Sequence, residues 1–166
     1  MYNMDSNSIL YQIRAKIQQP SKFSIFYFIV WKNGVSSDIL ISNMKLQTDY
    51  KNILLAFTDR DVKFMLVGEI AMAIQGKSDS AVNLDIWVMP DSKNAPLVIQ
   101  SLKDFGAPAD YLTTKDLQKE GIDFQIGLPP KRIRVLTSVE GLKFEKALAQ
   151  SKKVDIEGIS VQVLSV

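Results

Sequence analysis

The sequence contains no cysteine and no histidine among its 166 residues. Without cysteine the chain can form neither a disulfide nor a zinc–thiolate site, and it has no thiolate nucleophile. Without histidine it lacks the commonest general base, the serine–histidine pair of many hydrolases and every histidine metal ligand. Any metal ion must therefore be held by oxygen atoms, which favours Mg²⁺, Mn²⁺ or Ca²⁺.

Strong net charge and long apolar runs are also missing. The net charge of +2 is too small to predict nucleic-acid binding from electrostatics alone. The longest apolar run, FSIFYFIVW at residues 23–31, is much shorter than the roughly 20 residues of a membrane-spanning helix. Its flanks favour a buried strand or an unusual leader over a secretory signal. We expect a cytoplasmic protein with no membrane partner.

What is present is typical of one compact domain, with 46% hydrophobic and 23% charged residues. The composition changes near Met44. Residues 1–43 are rich in Asn, Ser, Gln and aromatic side chains, whereas apolar periodicity becomes regular from Met44 onward. The sequence therefore predicts an N-terminal extension of unknown structure over residues 1–43 and a folded domain over residues 44–166.

Apolar periodicity and turn residues predict the elements of this domain. The expected helices cover residues 48–59, with Thr48-Asp49 as the cap, and residues 69–75, 92–105 and 144–150. The expected strands cover residues 62–67, 84–89, 122–126 and 132–137, followed by a hairpin over 154–163 that turns at Glu157-Gly158. Because some strands follow each other without a helix between them, we predict an α+β fold with a mixed sheet flanked by helices.

Polar residues stand near the ends of the predicted strands. Gly68-Glu69 forms a strand-to-helix turn, which could present backbone N–H groups to a phosphate or could be a plain turn. Asn83 and Asp85 are two residues apart on one strand, so their side chains point to the same face. They could converge on one ligand, or they could line a solvated strand edge.

Three segments carry a resemblance to a known family: FMLVGEIAMAIQG, NLDIWVMPDSKNA and FQIGLPPKRIRVLTSVEGLKFEKA. They resemble the minimal nucleotidyltransferases of bacteria and archaea, some of which act as antitoxins, and the similarity covers about residues 44–166. It implies the nucleotidyltransferase fold, which is the palm-like fold of DNA polymerase beta. It also implies a Gly-Gly turn for the triphosphate of an NTP and three aspartates that hold two Mg²⁺ ions.

The chain departs from the family pattern at most of these positions. Gly68 matches the first glycine, but Glu69 replaces the second; Asn83 and Asp85 stand for the paired aspartates, and Arg134 stands for the third. Asn83 brings no negative charge, and Glu69 would repel a triphosphate. Arg134 would oppose a metal ion and could instead pair with Asp85. Asp85 is thus the single expected catalytic and metal-binding aspartate that remains.

These departures leave alternative functions open. In the first, the protein is a degenerate nucleotidyltransferase that acts by binding a cognate toxin or another protein partner. In the second, it is an active Mg²⁺-dependent enzyme that transfers a nucleotide from an NTP to a protein or RNA acceptor. That enzyme would use Asp85 with Glu69 or Asp79.

The resemblance further implies that Gly68, Glu69, Lys77 and Ser78 are the nucleotide-binding positions of the chain. A third function, the binding of a nucleotide or RNA without metal, would depend on basic residues. Lys131, Arg132, Arg134 and Lys77 could receive a phosphate, or they could form a solvated basic strand end.

Overall fold

The structure is a computed structural model that describes residues 14–17, 44–78, 81–128 and 130–165. Its helices are α1 (Thr48–Asp59), α2 (Gly68–Ile74), α3 (Asn94–Phe105) and α4 (Phe144–Gln150). Its strands are β1 (Arg14–Ile17), β2 (Phe64–Val67), β3 (Leu84–Val88), β4 (Ile122–Ile126), β5 (Ile133–Leu136), β6 (Lys152–Ile156) and β7 (Ile159–Val163). The helices and strands predicted from residue 44 onward are all present, with ends that differ by at most two residues.

The strands form one mixed sheet in the order β1-β4-β5-β3-β2-β7-β6. The pairs β3–β5 and β2–β7 are parallel, and the other neighbouring pairs are antiparallel. The predicted α+β fold with a mixed sheet is therefore confirmed. Strand β3 lies at the centre of this sheet, between β2 and β5, and for that reason its residues are the best placed to meet side chains from other strands.

The two faces of the sheet differ in what covers them. Alternate residues of β3, such as Leu84 and Ile86, belong to the main apolar core together with residues of α1, α2 and α3. On the opposite face Trp87 packs edge-on against Phe144 of α4, with 5.2 Å between the ring centroids. Because side chains alternate along a strand, Asp85 lies on this second face with Trp87.

Local hydrogen bonds explain where the elements begin and end. The predicted Thr48-Asp49 cap is wrong: Gln47 is the N-cap residue of α1, and no side chain caps the helix. Helix α3 begins at Asn94, whose side-chain oxygen accepts from the Lys63 backbone N–H at 2.8 Å and whose amide donates to the Met89 carbonyl at 3.0 Å. Asn94 thereby ties the start of α3 to the ends of β2 and β3.

Within residues 1–43 the structure describes Arg14–Ile17 alone, as strand β1, which pairs antiparallel with β4. A strand from the predicted N-terminal extension therefore extends the sheet of the domain. The apolar run at residues 23–31 lies outside the described residues. In the part of the chain that is described, no helix combines the length and the apolar character needed to cross a membrane.

Candidate functional site

Strands β3 and β5 bring Asp85 and Arg134 side by side. The two strands run parallel, and their register places the Cα of Asp85 opposite the Cα of Arg134. The Arg134 Nη1 atom lies 3.7 Å from Asp85 Oδ2. The pairing that the sequence suggested for these two residues is therefore present in the fold.

A second carboxylate, Asp123 on β4, binds Arg134 more closely. Arg134 Nη2 donates to Asp123 Oδ2 at 2.7 Å, and Arg134 Nε donates to Asp123 Oδ1 at 3.3 Å. This forked contact is the strong geometry for a guanidinium and a carboxylate. One arginine therefore bridges two acids, and the role of Asp123 was missed by the sequence reasoning.

Glu69 anchors the segment that leads into β3. Its Oε2 accepts from the backbone N–H groups of Val82 and Asn83 at 3.2 and 3.1 Å, and its Oε1 accepts from Asn83 Nδ2 at 2.9 Å. Partial burial works to raise the pKa of Glu69, but these hydrogen bonds and the nearby charge of Arg132 outweigh it and lower the pKa. The carboxylate therefore has a structural role in holding this segment.

Gly68 places bare backbone against the carboxylate of Asp85. Its φ of +69° lies in the left-handed region, and a Cβ atom at this position would stand 2.4 Å from Asp85 Oδ2. Any residue other than glycine would collide with the acid. The structure thus brings together Gly68 and Asp85, two of the site residues that the sequence singled out.

Asp85 is a buried acid with an incomplete set of hydrogen bonds. Its residue is 9% exposed, and burial raises its pKa although the charges of Arg134 and Arg132 act in the opposite direction. In the described part of the chain, the buried side-chain polar atoms without a hydrogen-bond partner are Asn83 Oδ1, Asp85 Oδ1, Trp87 Nε1 and Arg132 Nε. Such atoms are rare in folded proteins, and these four lie on β3 or directly before β3 and β5, which makes this end of the sheet the candidate site.

Tyr50 of α1 holds the segments that lead into both site strands. Its hydroxyl lies 2.5 Å from the Val82 carbonyl, to which it donates, and 3.3 Å from the Arg132 carbonyl. Burial, followed by the negative charges of Glu69 and Asp85, raises the pKa of Tyr50 to about 12. Nothing in the local sequence around Tyr50 indicated this contact, because its partners are distant along the chain.

The remaining candidates for binding a nucleotide or a phosphate lie in two separate segments. Lys77 is exposed and Ser78 half-buried in the segment between α2 and β3, and Lys131 is exposed before β5. Arg134 is already bonded to Asp123, so it is a poorer receiver for a phosphate than the sequence suggested. The expected roles of Lys77 and Ser78 in nucleotide binding stay predictions, and Asp79 lies outside the described residues.

These residues do not fit the pair of Mg²⁺ ions that the resemblance implies. The negative charges of Asp85, Asp123 and Glu69 face the positive charges of Arg132 and Arg134, which leaves a small net charge. Over the described residues, no group of three acidic side chains is arranged to hold a metal ion. A cation placed about 4 Å from a metal ion costs about 4 kcal/mol of repulsion for each unit of metal charge at an effective dielectric constant of about 20.

The mixed sheet and its helices form the nucleotidyltransferase fold. A structural comparison finds the chain similar to a protein from Thermotoga maritima described as a "putative nucleotidyltransferase", with a TM-score of 0.50 and 12% sequence identity. The similarity covers 75% of this chain and 83% of that one, and at this identity it shows the fold alone. Scans against protein-family models and against curated proteins give no match.

Proposed function

We propose that this chain is a member of the nucleotidyltransferase superfamily that has lost catalysis and acts by binding another molecule. The observation that carries the proposal is the position of Arg134, which lies 3.7 Å from Asp85 and forms a forked contact with Asp123. A guanidinium in this place neutralises the acids that would otherwise attract a divalent cation.

The role of Glu69 supports the same proposal. The resemblance implies a bare glycine backbone at this turn to receive the triphosphate, but the Glu69 side chain crosses to Val82 and Asn83. The turn therefore carries a fixed negative charge, which disfavours a triphosphate at this end of the sheet. At both the expected metal site and the expected phosphate turn, the residues present therefore form structural contacts within the chain.

We propose a protein as the partner, and a cognate toxin as the first partner to test, since some of the relatives that the sequence resembles are antitoxins. Such a partner would be met in the bacterial cytoplasm. Binding of a nucleotide or RNA without a metal is the related possibility that the exposed Lys131 and Lys77 and the half-buried Arg132 support.

A second candidate function is an active transferase. It is favoured by Asn83 Oδ1 and Asp85 Oδ1, two buried oxygens that have no hydrogen-bond partner among the described residues and whose residues are two apart along the chain. In this case Mg²⁺ would use Asp85 with Glu69 or Asp79, and Arg134 would have to turn away when an NTP binds. The chain would then transfer a nucleotide to a protein or RNA acceptor.

A transfer assay separates the two candidates. The purified chain is incubated with each labelled NTP, Mg²⁺ or Mn²⁺, and either RNA or protein as the acceptor. We expect no labelled acceptor. We also expect ATP and Mg²⁺ to leave the melting temperature of the chain unchanged, because a site that does not bind divalent cations is not stabilised by them. Label on an acceptor that disappears in Asp85→Asn would reject the binding role and establish the transferase.

A variant in which the expected metal-binding residues are restored serves as the positive control for this assay. The variant combines Arg134→Asp and Asn83→Asp with Glu69→Gln. The amide introduced at position 69 can then donate a hydrogen bond to the carboxylate introduced at position 83, which reverses the donor and acceptor of the native contact. Mg²⁺-dependent binding of ATP to this folded variant is expected. A folded variant that binds no nucleotide would show that the site has been placed wrongly.

A further inference from the structure

We propose that strand β6 is a self-association surface, to which a second copy of this chain adds its own β6 in antiparallel orientation about a two-fold axis at Val154. Strand β6 (Lys152–Ile156) ends the strand order of the sheet, and among the described residues it pairs with β7 alone. Strands β2 and β7 separate it from β3 and Asp85. This surface is therefore independent of any nucleotide transfer at the candidate site.

The outer edge of β6 carries backbone groups that β7 does not use. The register pairs Ile156 with Ile159 on either side of the two-residue turn. Residues that flank such a turn exchange backbone hydrogen bonds, and every second residue back along the strand does the same. The N–H and C=O groups of Lys153 and Asp155 therefore point away from β7. Outside the β6–β7 pair, neither residue makes a backbone hydrogen bond to another described part of the chain.

These outward-facing residues define how a second β6 can pair with the first. Antiparallel strands exchange hydrogen bonds where the outward-facing residues of both strands stand opposite each other. For two copies of β6, one register uses both residues of each copy: Lys153 stands opposite Asp155 of the partner copy, and Asp155 opposite its Lys153. Each of these pairs exchanges two backbone hydrogen bonds. The arrangement is symmetric about Val154, and a two-fold axis is the commonest symmetry of a homodimer.

The side chains are complementary in charge in this same register. Lys153 and Asp155 are both exposed, and because they are two residues apart they lie on one face of the sheet. Each lysine would stand opposite an aspartate of the partner copy, with about 5.5 Å between the Cα atoms. A shift of the register by two residues would place two lysines or two aspartates opposite each other, which like-charge repulsion disfavours.

A second copy fits this edge better than an unrelated strand does. A lysine on an edge strand opposes pairing with any strand that leaves its charge unmatched, whereas β6 supplies the matching acid itself. On the other face of β6, the half-buried Val154 packs against the main core. At the two-fold axis it would contact Val154 of the partner copy in a pair without hydrogen bonds, where opposite side chains lie closest together.

Sedimentation equilibrium of the full chain tests the proposal. The concentration range should reach about 1 mM, because one pair of short strands is a small interface. The wild type should form dimers, and added NaCl should raise their Kd. Lys153→Glu should raise the Kd about tenfold or more, since both ion pairs become like-charge pairs. The matched control is Lys115→Glu, the same change at an exposed residue between α3 and β4, which should leave the Kd unchanged.

Two further variants separate the backbone contribution from the charge contribution. Lys153→Pro removes an outward N–H but no hydrogen bond to β7, so this variant should fold and stay monomeric. A mixture of Lys153→Glu and Asp155→Lys should form heterodimers, because an acidic edge then meets a basic edge. If Asp155→Lys does not fold, through loss of the hydrogen bond that Asp155 Oδ1 accepts from the Gly158 N–H, the two Lys153 variants decide.

Hydrogen exchange reads the same contact residue by residue. The amides of Lys153 and Asp155 should exchange more slowly as the concentration of the chain rises, whereas the amide of Val154, bonded to β7, should be protected throughout. A wild type that stays monomeric over the whole range, or a Kd that neither Lys153→Glu nor Lys153→Pro changes, would overturn the proposal. Neither result affects the transfer assay, so this surface and the proposed function can fail separately.

Discussion

Replacing Gly68 by alanine should destabilise the fold by about 2–4 kcal/mol, and the loss should depend on Asp85. The structure supplies two contributions. A residue with a side chain at the observed φ of +69° costs about 1–2 kcal/mol relative to glycine. The added Cβ would stand 2.4 Å from Asp85 Oδ2, where real contacts do not fall below 3.0 Å, so the strand or the carboxylate must move.

The collision should contribute about 1–3 kcal/mol, the usual range for forcing extra volume into a packed position. Alanine also lowers the conformational entropy of the unfolded chain, and this effect offsets about 0.4–1 kcal/mol of the loss in stability. The acid cannot escape easily, because it is buried and lies beside Arg134.

Urea unfolding followed by tryptophan fluorescence measures this loss. Gly158→Ala is the matched control: its φ is +83°, but a Cβ there meets nothing within 4 Å, so it should cost about 1 kcal/mol. In an Asp85→Ala background only the Cβ of residue 85 remains, at 3.3 Å, so the cost of Gly68→Ala should fall most of the way to that of Gly158→Ala. Equal costs for the two glycine variants in the wild-type background would refute the close approach of Gly68 to Asp85.

Two further predictions concern the residues that hold the site. Glu69→Gln should lower stability at pH 7, because the pKa of Glu69 is lowered in the folded state and such an acid stabilises the fold only when ionised. The difference from the wild type should shrink as the pH falls from about 5 to about 3; urea midpoints that differ equally across this range would contradict the sign. Tyr50→Phe should cost about 1–2 kcal/mol, since it leaves the Val82 carbonyl without its donor, whereas Tyr111→Phe, at a residue that is 76% exposed, should cost less than about 0.5 kcal/mol. Equal urea midpoints for the two tyrosine variants would show that the Tyr50 hydroxyl does not hold these segments.

Much of the fold was predictable because it follows from short-range patterns. Strand β4 and helix α4 have the predicted bounds, Ile122–Ile126 and Phe144–Gln150, since apolar periodicity and a following glycine or polar residue mark both clearly. The hairpin turn is another local feature: Glu157 and Gly158 both have positive φ, as a two-residue turn of type I′ requires. The predicted cap of α1 was wrong because Thr48 is the first residue inside the helix, so its side chain is not at the N-cap position.

The site was predictable only in part. The face shared by Asn83 and Asp85 follows from alternation along one strand, and the place of Arg134 beside Asp85 follows from the family resemblance. Asp123 could have been found from one further signal. A short connection between β4 and β5 favours antiparallel pairing, and Asp123 then lies on the same face as Gln125, which is the partner of Arg134.

The sequence by itself determined which chemistry is open to this protein and which elements it builds. The absence of cysteine and histidine limits any metal ligand to oxygen, and the placement of Asn83, Glu69 and Arg134 alters the expected nucleotidyltransferase site. Only the tertiary structure decided what these residues do. Charges and hydrogen bonds act over a few ångström, and the sheet register, which depends on contacts between distant segments, sets those distances for Arg134, Asp85 and Asp123.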